Sequence, residues 1–147
     1  MGETKEMATD IESISSLLLK ARENTVAYIK PVLTRYDMTE QQWRVIRELH
    51  KHSELNAQQL AHESGILSPS LSRILARFSD DGIVVRKANR YDQRAQNIRL
   101  SAKGKRLHSR IQPEVEKKHT VMEKDVGGDK LSRLQNLLSQ ITNNLND

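Results

Sequence analysis

Along most of the chain, apolar side chains recur at steps of three and four, the spacing that keeps them on one face of an α-helix. Ile11, Ile14, Leu18, Ala21, Thr25, Tyr28 and Val32 follow this rule, and Leu17 and Leu33 widen the stripe. It predicts a helix over 11–35, kinked or ended near Pro31, whose ring removes an interior amide. Thr39-Glu40-Gln41-Gln42 is a capping box, in which hydroxyl and amide side chains satisfy opposite orphan backbone groups. Trp43, Ile46 and Leu49 behind it form a core-facing stripe, with Trp43 as a core anchor. Asn56 can cap a short helix over 57–63, and Gly65 supplies a left-handed residue after it. Ser68-Pro69 predicts a further helix start, with serine as N-cap and proline at the first helical position. That helix should run to about Asp81, bury Leu71, Ile74, Leu75 and Phe78, and stop at Gly82.

The period then drops to two. Ile83–Lys87 and residues 95–100 predict short strands, the second with Ile98 and Leu100 inward and Asn97 and Arg99 outward. A polar turn, 88–94, joins them. Ser101 should cap a long helix to about residue 124, kinked at Pro113. Gly127-Gly128-Asp129 interrupts it, and Leu131, Leu134, Leu138, Ile141 and Leu145 mark a last helix. The predicted class is mainly α with a small β-hairpin wing: a winged helix-turn-helix. The expected organisation is a winged domain over 39–100, dimerisation helices over 11–38 and 101–147, and a flexible tail over 1–10.

Composition adds a partner. Of 147 residues 36% are hydrophobic and only 3% aromatic, so the core is aliphatic and the apolar supply modest. A protomer of this kind is expected to borrow core from a second copy. The apolar seams of the first and last helices point to a two-fold homodimer built from 11–35 and 105–145. The absence of cysteine excludes a disulfide framework, a thiolate zinc site and a thiol redox sensor. No apolar run approaches the ~20 residues of a membrane span, and residues 1–10 are too polar for a signal peptide. A cytoplasmic protein with no membrane partner is expected.

Charge is uneven. From Ser68 to Arg110 there are eleven Lys or Arg against three acids, whereas the remainder holds 13 basic and 16 acidic residues. This is either a solvated face or a surface for a polyanion. The motifs inside it favour double-stranded DNA. A recognition helix presents its first turns to base edges in the major groove. Here those turns carry Ser68, Pro69, Ser70, Ser72 and Arg73 opposite the buried leucines. Serines permit close backbone approach, and Arg73 can fork onto a guanine edge. Arg77, one turn on, suits phosphate. Arg90 and Arg94 at the hairpin tip suit the minor groove, where negative potential concentrates. Asp92 is expected to structure the wing, by accepting turn amides or pairing with an arginine.

Asp92-Gln93-Arg94 followed by Ile98, Leu100, Ser101 and Gly104 resembles the wing pattern of the MarR family, the multiple-antibiotic-resistance regulators. Leu60-Ala61, Gly65-Ile66 and Pro69-Ser70-Leu71 fit the same family, and the resemblance spans roughly residues 15–145. Ala21-Arg22-Glu23, Tyr28-Ile29-Lys30-Pro31, Thr39–Arg44 and Ser68–Leu71 are similar to the subgroup of homoprotocatechuate-degradation repressors. The resemblance implies an intertwined helical homodimer on a pseudo-palindromic operator. It also implies a small aromatic carboxylate effector, held in a cleft between the dimerisation helices and the DNA-binding domain, that releases the DNA. Arg22 could take its carboxylate as a bidentate fork, and Tyr28 could contact a phenolic ring. The alternative partner for Arg22 is an acid across the dimer, Glu23 or Glu40.

Other functions find less support. His50 and His52 are two apart on a helix and point to different sides, and His62-Glu63 lacks a second ligand at helical spacing. The five histidines form no recognisable ligand set, so no metal or other cofactor is expected, and a metal-responsive regulator of the same fold is the secondary reading. No glycine-rich phosphate loop or nucleophile elbow suggests an enzyme. A helical bundle that binds only protein would lack DNA affinity at low salt.

Overall fold

The computed structural model describes residues 10–91 and 95–144. The tail over 1–9, the wing-tip residues Asp92, Gln93 and Arg94, and Leu145 lie outside the described residues. The order is α1 (Ile11–Arg35), α2 (Glu40–His52), β1 (Leu55–Asn56), α3 (Ala57–Ser64), α4 (Ser68–Asp80), β2 (Val84–Ala88), β3 (Gln96–Leu100), α5 (Ala102–Val126) and α6 (Gly128–Asn144). The chain divides into two compact units. One runs from Pro31 to Lys117; the other holds the chain up to Lys30 and from Lys118 onward.

The Pro31–Lys117 unit holds nearly all the core. Trp43, Val45, Ile46, Leu60, Leu71, Phe78, Ile98 and Ile111 are almost wholly withdrawn from solvent. α1 passes Pro31 and closes one turn later, where Met38 N–H reaches back to the Leu33 carbonyl and Asp37 takes a left-handed φ of 52°. Tyr36 Oη donates to Glu114 at 2.6 Å, and Arg35 pairs with the same carboxylate at 2.9 Å, which ties this end of α1 to α5. The sequence-predicted capping box of Thr39 with Gln42 forms on α2, and Asn56, expected as a cap, does cap α3 and closes a further box with Gln59. Gly65 is left-handed, φ 64°, and its amide returns to the end of α3.

Three details differ from the sequence expectation. Ser68 is not an N-cap but the first residue of α4. The cap position is Leu67, 80% exposed, because the first helical bond closes from Leu71 N–H to Leu67 O, and its apolar side chain has no oxygen with which to cap the turn. The sheet also gains a third strand in the antiparallel order β1-β3-β2. Leu55 faces Ile98 and Asn56 faces Asn97, while Val84 faces Leu100 and Ala88 faces Gln96. β2 starts one residue later than expected because Ile83 N–H is used by the Phe78 carbonyl.

The root of the hairpin is joined closely to α5. The Ser101 hydroxyl accepts from Gly104 N–H and lies within hydrogen-bond distance of the Gly82 and Ile83 carbonyls. Gly104 permits the approach: a Cβ there would stand 2.3 Å from the Ile83 carbonyl oxygen.

The other unit has a different character. Its one buried large apolar side chain among the described residues is Ile29; Ile11, Leu17, Leu19, Leu137 and Ile141 stand exposed. Asp10 caps α1 through Ser13 N–H, and Tyr28 Oη donates to Asp125 at 2.7 Å. No helix among the described residues is long and apolar enough to cross a membrane.

Candidate nucleic-acid interface

α4 divides cleanly. Leu71, Ile74, Leu75 and Phe78 are buried, whereas Ser68, Pro69, Ser72, Arg73 and Arg77 are exposed and Ser70 is half-buried. The exposed group occupies the first three turns on the side away from the core. With no side-chain cap on the first turn, the positive end of the helix dipole is open to an anion. Arg73 and Ser70 border a shallow depression with Thr39, Gln41 and Gln42 at the start of α2. Arg77 Nε reaches Asp81 at 3.1 Å, but 73% of its side chain is exposed, so the pair is weak and the guanidinium free to exchange partners.

The wing continues the basic surface. Asn89 N–H bonds the Ala95 carbonyl, its side-chain amide reaches Asn97, and its Oδ1 accepts from Tyr91 N–H in an Asx-type turn. This local network presents Arg90 and, at 95% exposure, Tyr91. Sequence reasoning passed over Tyr91; its signal was an aromatic ring inside a basic turn. Arg86 is held against α4 by Ser79 Oγ at 3.0 Å, and Lys103 Nζ bonds the Asp81 carbonyl at 2.6 Å.

A second omission lies behind the recognition face. Arg44 of α2 donates from Nη1 to the Ser64 carbonyl at 2.7 Å, and its Nε stands 2.8 Å from Glu40. It therefore takes up a carbonyl at the end of α3 just where the chain turns at Gly65. No sequence spacing announces this contact, because its partner is a backbone atom on another helix.

The sequence-proposed effector residues lie on α1, in the unit without a large core. Tyr28 is engaged with Asp125, and that hydrogen bond, ahead of burial, holds its phenol above the usual pKa. Thr25 lies between Arg22 and Tyr28 at i+3 steps and lines an apolar groove of about 390 Å³ with Met122, Leu131, Leu134 and Leu138. The larger unit offers another recess. His108, buried, stacks between Trp43 (5.5 Å between ring centroids) and His50 (3.7 Å). Beside this stack is a pocket of about 340 Å³ with Arg47, Lys51, Gln112 and Glu116 on its wall. Burial, then the neighbouring His50 and Arg47, lowers the His108 pKa and keeps the ring uncharged.

Comparison with known proteins gives this geometry a family context. A MarR family profile matches residues 36–95. The homoprotocatechuate degradative operon repressor of Escherichia coli is 36% identical over 129 residues, 88% of this chain and 87% of that one. The structure of NadR in complex with 4-hydroxyphenylacetate superposes with a TM-score of 0.82 at 34% identity, covering 90% of this chain and 97% of that one. A mutant MarR from Escherichia coli complexed with operator DNA shares the fold, with a TM-score of 0.79 at 20% identity over 92% of this chain and 98% of that one.

Proposed function

Because the chain belongs to the MarR family of DNA-binding transcriptional regulators, we propose that it acts as a homodimeric repressor on a pseudo-palindromic operator and is released by a small phenolic or aromatic carboxylic acid. The observation that carries the DNA reading is α4: a polar first face with Arg73 and Arg77, standing on four buried apolar anchors beside a basic hairpin. Ser68, Ser70, Ser72 and Arg73 take the major groove, Pro69 sets the first turn, and Arg77 takes phosphate. Arg90 and Arg94 follow the adjacent minor groove, with Asp92 structuring the tip. Two-fold symmetry places the half-sites about one helical turn, roughly 34 Å, apart.

Support for the dimer comes from the exposed apolar residues of α1 and α6, a surface that a second copy would remove from water. Residues 11–38 and 101–147 are its proposed dimerisation segments. Support for the effector comes from NadR, 34% identical and bound to 4-hydroxyphenylacetate, and from the repressor of an aromatic catabolic operon at 36% identity. A corresponding role here is control of aromatic-compound breakdown in the cytoplasm. The effector acts by population shift, and only to the extent that it binds the DNA-free arrangement more tightly than the DNA-bound one. Arg22 and Tyr28 are the proposed contacts. The stacked rings beside Arg47 favour a second location, since they offer an aromatic floor and a cation in one recess.

Fluorescence anisotropy on a duplex from the gene's own upstream region tests both parts. Arg73→Ala should weaken binding by about 1–3 kcal/mol, roughly 5- to 150-fold, and relax one base position per half-site. Titrated 4-hydroxyphenylacetate should release the wild type, and Arg22→Ala and Arg47→Ala decide between the two locations. No binding at low salt, or a stable monomer at micromolar concentration, would overturn the reading.

A further inference from the structure

The C-terminal turns of α2 and α3 bring together Glu48, His52 and Glu63, a cluster that the DNA face and the effector reading leave unused. Glu48 and His52 are at i and i+4 and project from one side of α2. Glu63 arrives from α3, which its Asn56 capping box and fully buried Leu60 hold in place. Each residue offers one donor atom, and the three donors lie within 4.8 Å of one another.

His52 Nε2 stands 3.4 Å from Glu48 Oε2 and 3.7 Å from Glu63 Oε2. Both are ion-pair separations, longer than a good hydrogen bond, and Glu48 Oε2 is shut off from solvent and accepts no hydrogen bond from the described residues. A buried carboxylate oxygen in that condition is costly unless a cation stands beside it. The 3.4 Å separation matches two ligands on one ion, and the Glu63 oxygen at 3.7 Å needs to move in by only a few tenths of an ångström to join them. Bonds of about 2.0–2.1 Å from a tetrahedral centre put neighbouring donors about 3.3–3.4 Å apart. One imidazole nitrogen with two carboxylate oxygens suits a first-row divalent ion, whereas calcium and magnesium favour oxygen-only sets. The two carboxylates also balance the charge of such an ion.

We propose that Glu48, His52 and Glu63 form a binding site for a divalent transition cation of the zinc type, one that ties α2 to α3 within the helix-turn-helix. The competing arrangement is a protonated His52 shared by two carboxylates, which needs no metal. Calorimetric titration of Zn²⁺ into the metal-free full-length protein separates them. The expected result is one ion per protomer with a Kd of about micromolar or tighter, and at least a roughly tenfold loss in both His52→Ala and Glu63→Gln. His62→Ala, which changes the adjacent histidine outside the cluster, should bind as the wild type does. Cobalt substitution should give the visible d–d absorption of a tetrahedral site in the wild type and not in His52→Ala. Melting temperature should rise with zinc in the wild type and His62→Ala and not in His52→Ala. Equal zinc affinity in wild type and His52→Ala, or no uptake by the wild type at micromolar zinc, would overturn the site and leave His52 as an ionic bridge.

Discussion

Arg44→Ala tests whether the helix-turn-helix is set by the guanidinium that joins α2 to the end of α3. The Ser64 carbonyl sits at the last turn of α3, and the left-handed Gly65 diverts the chain before another helical amide can reach it. The Arg44 side chain is 22% exposed, so water replaces it only partly. A hydrogen bond from a charged donor contributes about 1.5–3 kcal/mol. The Glu40 pair, largely covered and at i,i+4 spacing on one helix, adds up to about 1 kcal/mol. Together they predict a loss of about 2–3 kcal/mol. At a urea m-value of about 2 kcal/mol/M the unfolding midpoint should fall by about 1–1.5 M. The measurement is circular dichroism against urea at one fixed protomer concentration, because association would couple to stability. Arg44→Lys keeps the charge without the planar fork and should recover only part of the loss. Operator affinity should fall even where Arg44→Ala remains folded, since the turn before α4 is no longer held. A midpoint within roughly 0.3 M of the wild type would refute the assignment, because a shift that small is well under 1 kcal/mol.

Acid should act through the ring stack. The folded His108 pKa is lowered, chiefly by burial, so its contribution is intact above the unfolded value of about 6.5 and is lost as pH falls through the folded one. Melting temperature should therefore drop below about pH 6.5 in the wild type and less steeply in His108→Phe; parallel curves would place the acid sensitivity elsewhere. Gly104→Ala should cost at least about 2 kcal/mol, since its Cβ would meet the Ile83 carbonyl at 2.3 Å; an unchanged melting temperature would mean that the root opens readily.

The sequence made the local features legible. The capping box at Thr39, the cap at Asn56, the left-handed Gly65 and the apolar rows of α2 and α4 are short-range signals, and each formed where its chemistry predicts. The start of α4 was misjudged because serine before proline is a good cap by type, while the Leu67 carbonyl was already placed to close the first turn. β1 escaped notice because two residues cannot show an alternation; β3 recruits them. The division of α4 into a buried apolar face and an exposed polar one was readable from amphipathicity. Arg44 on Ser64, the His50–His108 stack and the approach of Glu63 to His52 depend on where separate helices meet, and no spacing in the chain encodes that.

The joint at Ser101 and Gly104 has a mechanical consequence. The hydroxyl grips the carbonyls at the base of the hairpin, and the missing side chain lets helix backbone rest directly on strand backbone. There is no slack at that point for a hinge. A tilt of the first turns of α5 must swing the base of the hairpin as a lever swings on its fulcrum, and in the proposed complex the angle of the helix, rather than bending of the loop, sets where the wing's base lies along the DNA.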